Sequence, residues 1–170
     1  GDRRVFPNAM VYADRREAAH WLDPANMKKS PAAVRSFFEV AMASINPYAE
    51  AGKFHAFDGD AEILPGIRAL RTPGHTPGHS TYVVESNGEK LVLWGDTLHV
   101  AAVQFSAPFV TLAFDVDGPA AVAERKRAFA DAAKNGYLIG GSHLPFPGLG
   151  HVRSEGDIYF WVPVNYAIPR

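Results

Sequence analysis

A pair of apolar segments separated by two turn residues constrains the fold most strongly. STYVVES and EKLVLWGD, residues 80 to 86 and 89 to 96, flank the dipeptide Asn87-Gly88. Asparagine and glycine tolerate the left-handed backbone of a two-residue hairpin turn, so the pattern predicts two paired antiparallel strands. The chain should therefore contain a sheet, and the second strand delivers the carboxylate of Asp96 to its end.

Local signals predict two long helices and further strands around this hairpin. One helix is expected from Ser30-Pro31 to Asn46-Pro47, and a second from Asp117 to Gly136. The charged run ERKR, residues 124 to 127, is expected to form a solvated face of the second helix. Strands are predicted at NAMVYAD, GIRALRT, YLIGGSH and DIYFWVPV, residues 8 to 14, 66 to 72, 137 to 143 and 157 to 164.

Composition excludes several classes of protein. The chain has 170 residues, 47% of them apolar, which suits a folded domain with a real core. Its formal charge of −1 and the lack of a basic, aromatic-rich run argue against nucleic-acid binding. No apolar run is long enough to span a bilayer, so no membrane partner is expected. With no cysteine, thiolate metal sites and disulfides are excluded.

The loop TPGHTPGHS, residues 72 to 80, holds two histidines four residues apart. Its prolines and glycines exclude a helix, so His75 and His79 do not share one helical face. One of them, both or neither could bind a metal, because residue type and spacing do not separate these readings. A lone loop histidine more often faces solvent or makes a structural hydrogen bond.

Four polar side chains follow apolar strands, where a rigid scaffold can hold ligands: His75, Asp96, His99 and His143. Imidazole and carboxylate suit a divalent ion of the zinc type, and the two oxygens of Asp96 could bridge two ions. By residue type alone, Asp96 is better explained as a turn residue after a strand. The residues by themselves therefore reach only a His/Asp metal site as a hypothesis.

Taken together, TPGHTPGHS, LVLWGDTLH and GGSHLPFPGLGH resemble the second half of a metallo-β-lactamase-fold hydrolase. AMASINPYAEAGKF, HVAAVQF, ERKRAFADAAKNGYLIGGSH and WVPVNY are similar to the methyl parathion hydrolase group and its lactonase relatives. The resemblance covers essentially the whole chain. It implies an α/β fold, the αββα sandwich, of which this chain supplies the C-terminal part.

The resemblance also implies site residues and cofactors. His75 and His143 would each bind one of two divalent ions, most simply zinc, and Asp96 would bridge both. His79 would be a supporting residue that braces the loop without touching the metal. Asp96 could in addition carry a proton during catalysis. The implied substrate pocket is aromatic, and its candidate residues are Trp21, Phe37, His99 and Phe114.

One departure from the family is large. The diagnostic motif H-x-H-x-D-H should precede this sequence, yet nothing before His75 matches it, since His20 and His55 stand alone. Residues 1–170 are therefore interpreted as a single, incomplete domain that lacks its N-terminal half. A periplasmic or secreted location is expected only if that half carries a signal peptide, and the sequence otherwise leaves the compartment open.

For the complete protein, the resemblance implies a binuclear metallohydrolase in which the ions activate water and polarise the substrate. Lactones or aryl esters are the expected substrates, with neutral organophosphate triesters as a further candidate. A homodimer is expected, and the missing half is an expected partner. The alternatives are a noncatalytic fragment that pairs with a partner chain, and a redox or nucleic-acid-processing member of the same superfamily.

Overall fold

The computed structural model describes residues 3–166, and the chain divides into two compact units, Gly1–Gly59 and Asp60–Arg170. The expectation of one domain stays a prediction. Across the described residues, no helix combines the length and apolar character needed to cross a membrane.

The N-terminal unit is mostly helical. Its two strands, which are the first and last elements of the unit, pair in parallel, with Val11 opposite Phe54. The buried carboxylate of Asp14 accepts a hydrogen bond from the Arg16 amide, which caps the first helix. In chain order the elements are β1 (Val11–Asp14), α1 (Arg15–Trp21), α2 (Pro24–Lys29), a short 3-10 helix (Ala32–Val34), α3 (Arg35–Glu50) and β2 (Phe54–Phe57).

The predicted start of the long helix is wrong. Ser30 ends α2, where its amide donates to the Asn26 and Met27 carbonyls, and Pro31 precedes the 3-10 helix. Because a proline disfavours helical backbone at the residue before it, Ser30 is held extended, with ψ at 151°. The α-helix itself begins only at Arg35.

The predicted end of that helix is also wrong, because α3 continues through Pro47 to Glu50. A proline this close to the helix end removes only one backbone hydrogen bond before the helix stops. The next residue, Tyr48, is buried, and its hydroxyl accepts a hydrogen bond from the Phe6 amide at 3.1 Å. Tertiary packing of the last turn therefore outweighs the local stop signal.

As far as residue 166, the C-terminal unit is a seven-stranded sheet with two helices, and its strands occur in chain order across the sheet. The predicted hairpin is confirmed: β5 and β6 pair with Val83 opposite Val92, and both turn residues, Asn87 and Gly88, have positive φ. The elements are β3 (Ala61–Leu64), β4 (Ile67–Arg71), β5 (Ser80–Ser86), β6 (Glu89–Leu93), α4 (Ala101–Gln104), α5 (Gly118–Asn135), β7 (Leu138–Gly140), β8 (Leu149–Glu155) and β9 (Ile158–Pro163).

Strand direction brings three loops to one edge of this sheet. β5 is antiparallel to both β4 and β6, whereas β7 is parallel to β6. Consequently the loop 72–79 between β4 and β5, Asp96 after β6 and His143 after β7 all leave the sheet at the same edge. The topology thus gathers the predicted ligands without any of them being close in sequence.

Helix α5 begins and ends as predicted. The Asp117 side chain caps it by accepting from the Ala120 amide, and Gly136 adopts the left-handed conformation at its end. The prediction that residues 124 to 127 are solvated is wrong at Arg125, which is fully buried. Arg125 is one of four buried residues of this helix, with Ala121, Phe129 and Ala132. Its position on the buried face of α5 therefore outweighs the exposure expected from its charge.

Candidate metal centre

The structure brings four predicted residues together at this edge. His75 Nε2 lies 3.4 Å from Asp96 Oδ2, and His143 Nε2 lies 3.4 Å from Asp96 Oδ1. His99 Nε2 is 3.8 Å from Asp96 Oδ2. The imidazole of His99 lies between the other two, with ring centroids 4.6 Å from His75 and 4.2 Å from His143.

The two oxygens of Asp96 face different histidines. Oδ2 faces His75 and Oδ1 faces His143. A carboxylate divided in this way has the arrangement of a bridging ligand, because each oxygen can share an ion with one imidazole. His75, Asp96 and His99 also form a group whose ligand atoms all lie within 4.8 Å of one another.

The donor spacing fits zinc better than hydrogen bonding. Two ligand atoms about 2.0 to 2.1 Å from a tetrahedral zinc ion are about 3.3 to 3.4 Å apart. The 3.4 Å separations around Asp96 match that spacing and exceed the usual length of an N–H···O hydrogen bond. The residues present therefore fit divalent ions, and a His-Asp-His site is available to hold them.

Charge at the site favours metal binding. The facing His75 holds the pKa of Asp96 well below its usual range, although burial acts in the opposite direction. Burial, followed by the neighbouring charges of His75 and His143, lowers the pKa of His99 to about 4. Burial also lowers the pKa of His75, but the carboxylates of Asp96 and Asp115 outweigh it and leave the pKa raised. Near neutral pH, Asp96 is therefore an anion and His99 a neutral imidazole.

His79, the other histidine of the loop, has both ring nitrogens engaged by the protein. Nδ1 lies 2.9 Å from the Thr72 carbonyl, which can only accept, so Nδ1 carries the proton. Nε2 then accepts a hydrogen bond from the Asp96 amide at 3.0 Å. His79 thus joins the start of the loop to the backbone of Asp96, and its supporting role at a metal site stays a prediction.

Gly95 makes the approach of His79 possible. Its φ is +54°, and a Cβ placed there would lie 2.9 Å from His79 Nε2. Any larger side chain would both strain the backbone and push the imidazole away from the Asp96 amide. The GD pair at the end of the β6 segment is therefore more than a turn, because the glycine admits the ring that holds the aspartate.

Two residues near the site, Asp115 and Arg125, were not predicted from the sequence. The Asp115 carboxylate is fully buried, and its Oδ1 lies 3.0 Å from His75 Nδ1. The guanidinium of Arg125, also fully buried, has Nη2 3.8 Å from Asp115 Oδ2. Asp115 lies in the loop before α5, where no motif distinguishes it from a turn residue. A charged residue on the apolar side of α5 was the one available signal for Arg125.

The remaining predicted pocket residues belong to different units of the chain. Phe114 belongs to the C-terminal unit, next to Asp115, and 58% of its surface is exposed. Trp21 and Phe37 belong to the N-terminal unit. Trp21 packs on Phe38, with ring centroids 4.6 Å apart, and Phe37 is half exposed. Their assignment to a substrate pocket stays a prediction.

Comparison with known proteins gives consistent matches. A family model described as the metallo-beta-lactamase superfamily matches residues 6–143. The crystal structure of hydrolase AbOPH in the beta lactamase superfamily is 36% identical with a TM-score of 0.85, covering 96% of this chain and 57% of that chain. AidC, a dizinc quorum-quenching lactonase in complex with a product, is 24% identical with a TM-score of 0.86, covering 98% and 58%.

The sequence match to a curated relative is shorter. An N-acyl homoserine lactonase of Bacillus cereus is 42% identical over 40 residues, which cover 24% of this chain and 16% of the relative. The chain spans a little more than half the length of the two solved structures. The finer resemblance to the methyl parathion hydrolase group stays a prediction. The predicted fold is confirmed, and the chain belongs to the metallo-β-lactamase superfamily.

Proposed function

We propose that the full-length protein is a binuclear zinc hydrolase that opens neutral lactones. The observation that carries this proposal is the division of the Asp96 carboxylate between His75 and His143, at 3.4 Å on each side. When bound, two divalent ions lower the pKa of water towards neutrality and polarise the carbonyl oxygen under attack. Such a centre needs a negative charge between its two imidazole ligands, and the carboxylate of Asp96 supplies it.

His99 has a different part in this proposal. Its Nδ1 is buried and has no hydrogen-bond partner among the described residues. Because a buried orphan N–H is rarer than a buried orphan acceptor, the proton belongs on Nε2, the nitrogen nearer Asp96. A neutral His99 with Nε2–H facing the site is a hydrogen-bond donor rather than a metal ligand. It can orient the carbonyl or the leaving oxygen of the substrate.

The substrate class follows from the charges and from the relatives. Arg125, a cation that faces Asp115 behind His75, is fully buried and donates to backbone carbonyls, so it offers no guanidinium to an anionic substrate. A neutral ester-like group suits such a site. AidC and the Bacillus protein are lactonases by name. Lactones therefore come first, before aryl esters and neutral phosphotriesters.

Further metal ligands are expected from outside residues 1–170. Asp96 with one histidine would give each ion two protein ligands, whereas zinc sites usually have three or four. The solved relatives are longer than this chain. We expect the remaining ligands to come from the N-terminal half of the full-length protein. The full-length protein is also expected to form a homodimer. Residues 1–170 alone should then bind metal weakly and lack hydrolase activity.

The experiment is a substrate panel measured on the zinc-loaded full-length protein. It contains an N-acyl homoserine lactone, an aryl ester, a neutral phosphotriester and a β-lactam, and kcat/KM should be highest for the lactone. Asp96→Asn should remove activity towards all four, whereas His151→Asn, on β8 and away from the ligands, should retain it. Dominant β-lactam cleavage would contradict the proposed substrate class.

A second measurement addresses the noncatalytic alternative. Elemental analysis of the purified chain of residues 1–170 should find substoichiometric zinc, and the lactone should remain intact. A monomeric preparation of this chain that holds two ions and cleaves the lactone would show that residues interpreted as structural supply the remaining ligands. A full-length protein that holds no metal would instead contradict the proposed metallohydrolase.

A further inference from the structure

We propose that Asp115 and Arg125 are positioning residues that fix the tautomer and orientation of His75 for metal binding. The inference builds on the proposed metal site but concerns residues that no sequence motif singled out. Asp115 Oδ1 lies 3.0 Å from His75 Nδ1. An ionised carboxylate only accepts, so His75 donates from Nδ1 and keeps its lone pair on Nε2. Nε2 is the nitrogen that faces Asp96.

The Asp115 carboxylate is itself held in place. Its second oxygen, Oδ2, accepts a hydrogen bond from the Leu112 amide at 3.0 Å and faces the buried guanidinium of Arg125. A buried anion is tolerated only where donors or a cation compensate for lost water, and Asp115 has both. The carboxylate can therefore orient the imidazole of His75 without being reoriented by it.

The backbone beside Asp115 also holds the loop. The Val116 amide donates to the His75 carbonyl at 3.0 Å, and the Asp117 amide donates to the Gly74 carbonyl at 2.9 Å. His75 is thus held through its side chain by Asp115 and through its main chain by Val116, and Asp117 holds the preceding residue, Gly74. Such double attachment limits the rotation of the ring about its χ angles, which is the usual purpose of hydrogen bonds behind a ligand.

Arg125 connects this support to the other ligand. Its Nε donates to the carbonyl of Thr97, the residue after Asp96, at 2.8 Å. Its Nη1 donates to the Pro108 and Val110 carbonyls at 3.0 and 2.8 Å. One buried cation therefore fastens the segment after Asp96 and faces the carboxylate behind His75. Burying a guanidinium is costly, and here Nε and Nη1 donate to carbonyls while Nη2 makes no hydrogen bond within the described part of the chain and has only the ion pair with Asp115.

His99 supplies an internal contrast. Both His75 and His99 face Asp96, yet the Nδ1 of His99 is buried without a hydrogen-bond partner among residues 3–166. Only one of the two rings has a carboxylate behind it. The carboxylate-histidine pair is the arrangement that raises the basicity of a metal-binding imidazole. The geometry therefore assigns ligation to His75 and leaves His99 to the substrate.

The test compares Asp115→Asn with Asp117→Asn in the full-length protein. Asp115→Asn should give His75 a mixture of tautomers, seen in ¹⁵N NMR spectra of the metal-free protein at alkaline pH. Its zinc affinity, measured by competition with a chelator, should fall ~10 to 100-fold. The Asp117 side chain only caps α5, asparagine caps equally well and the backbone amide that donates to Gly74 is kept, so Asp117→Asn should leave both measurements unchanged.

Several outcomes would overturn the inference. They are an unchanged tautomer and affinity in Asp115→Asn, or equal losses in the Asp117 control. If Asp115→Asn does not fold, the wild type decides, because a His75 proton on Nε2 in the metal-free protein contradicts the proposal. The tautomer is observed without metal or substrate. A protein with this tautomer but no lactonase activity would therefore refute only the proposed function.

Discussion

The two halves of the loop 72–79 hold histidines of opposite character. His75, in the first half, has Nδ1 bound to a buried carboxylate and Nε2 directed at Asp96. His79, at the end, has Nδ1 on the Thr72 carbonyl and Nε2 on the Asp96 amide. Both approach the same aspartate, one at its side chain and the other at its backbone.

This difference teaches that a histidine's role depends on what its second nitrogen contacts. Both residues carry the proton on Nδ1, so both present a lone pair on Nε2. In His79 that lone pair is consumed by an amide of the protein, whereas in His75 it remains available to a cation. The same tautomer therefore leaves Nε2 bonded to a backbone amide in His79 and directed at a carboxylate in His75.

The largest expected effect comes from removing each ring in turn. In the full-length protein, His75→Ala should abolish one of the two metal sites, because a direct ligand is lost. His79→Ala should keep both ions with affinity reduced ~10 to 100-fold, since it only loosens Asp96. Metal content and chelator competition measure both, with His151→Ala as the control. Equal or greater loss in His79→Ala would reverse the assignment of the two histidines.

A smaller effect is expected from Gly95→Ala, which displaces His79 without removing it. The matched control is Gly136→Ala, where φ is +65° and a Cβ would meet nothing within 4 Å. Both variants incur a left-handed backbone cost of ~1 to 2 kcal/mol. Gly95→Ala should lose ~1 kcal/mol more, because the Asp96 amide also loses its acceptor. Urea unfolding measures the difference, and equal losses would show that this hydrogen bond contributes nothing.

The smallest effect is electrostatic and concerns the two rings that face Asp96. As pH rises in the metal-free protein, His99 should lose its proton near pH 4 and His75 only above pH 6.5. The raised pKa of His75 stabilises the fold below about pH 6.5, a contribution lost as pH rises through the folded value. The lowered pKa of His99 has the opposite effect on the free energy of unfolding, because it destabilises the fold as pH falls below about 6.5. NMR titration of both rings provides the measurement, and the reverse order would contradict the assigned charges.

Elements with strong local signals could be predicted from the sequence. The Asn87-Gly88 turn and the Asp117 cap each specify their own backbone, so the hairpin and α5 lie where expected. The end of α3 could not be found locally, because burial of Tyr48 compensates for the missing amide of Pro47. Strands β2, β3 and β8 carried no distinct alternation and were missed.

The site was predictable where the strand ends marked it and not where it depended on the fold. His75, Asp96, His99 and His143 follow apolar strands, and the structure brings all four together. Asp115 is 40 residues from the ring that it contacts, a separation that no spacing rule bridges. Arg125 appeared within a charged run, where solvent exposure is the ordinary expectation, and only tertiary contacts reveal that it is buried.

The hydrogen bond from the Asp96 amide to the His79 imidazole makes hydrogen exchange at this amide a measure of loop opening. A backbone amide exchanges its hydrogen with water only when its acceptor moves away, and here that acceptor is a side chain, Nε2 of His79. The ring is anchored to Thr72 at the start of the loop, so the amide is released only when loop and strand end separate. The rate of deuterium uptake at the Asp96 amide therefore reports how often the loop opens by local unfolding.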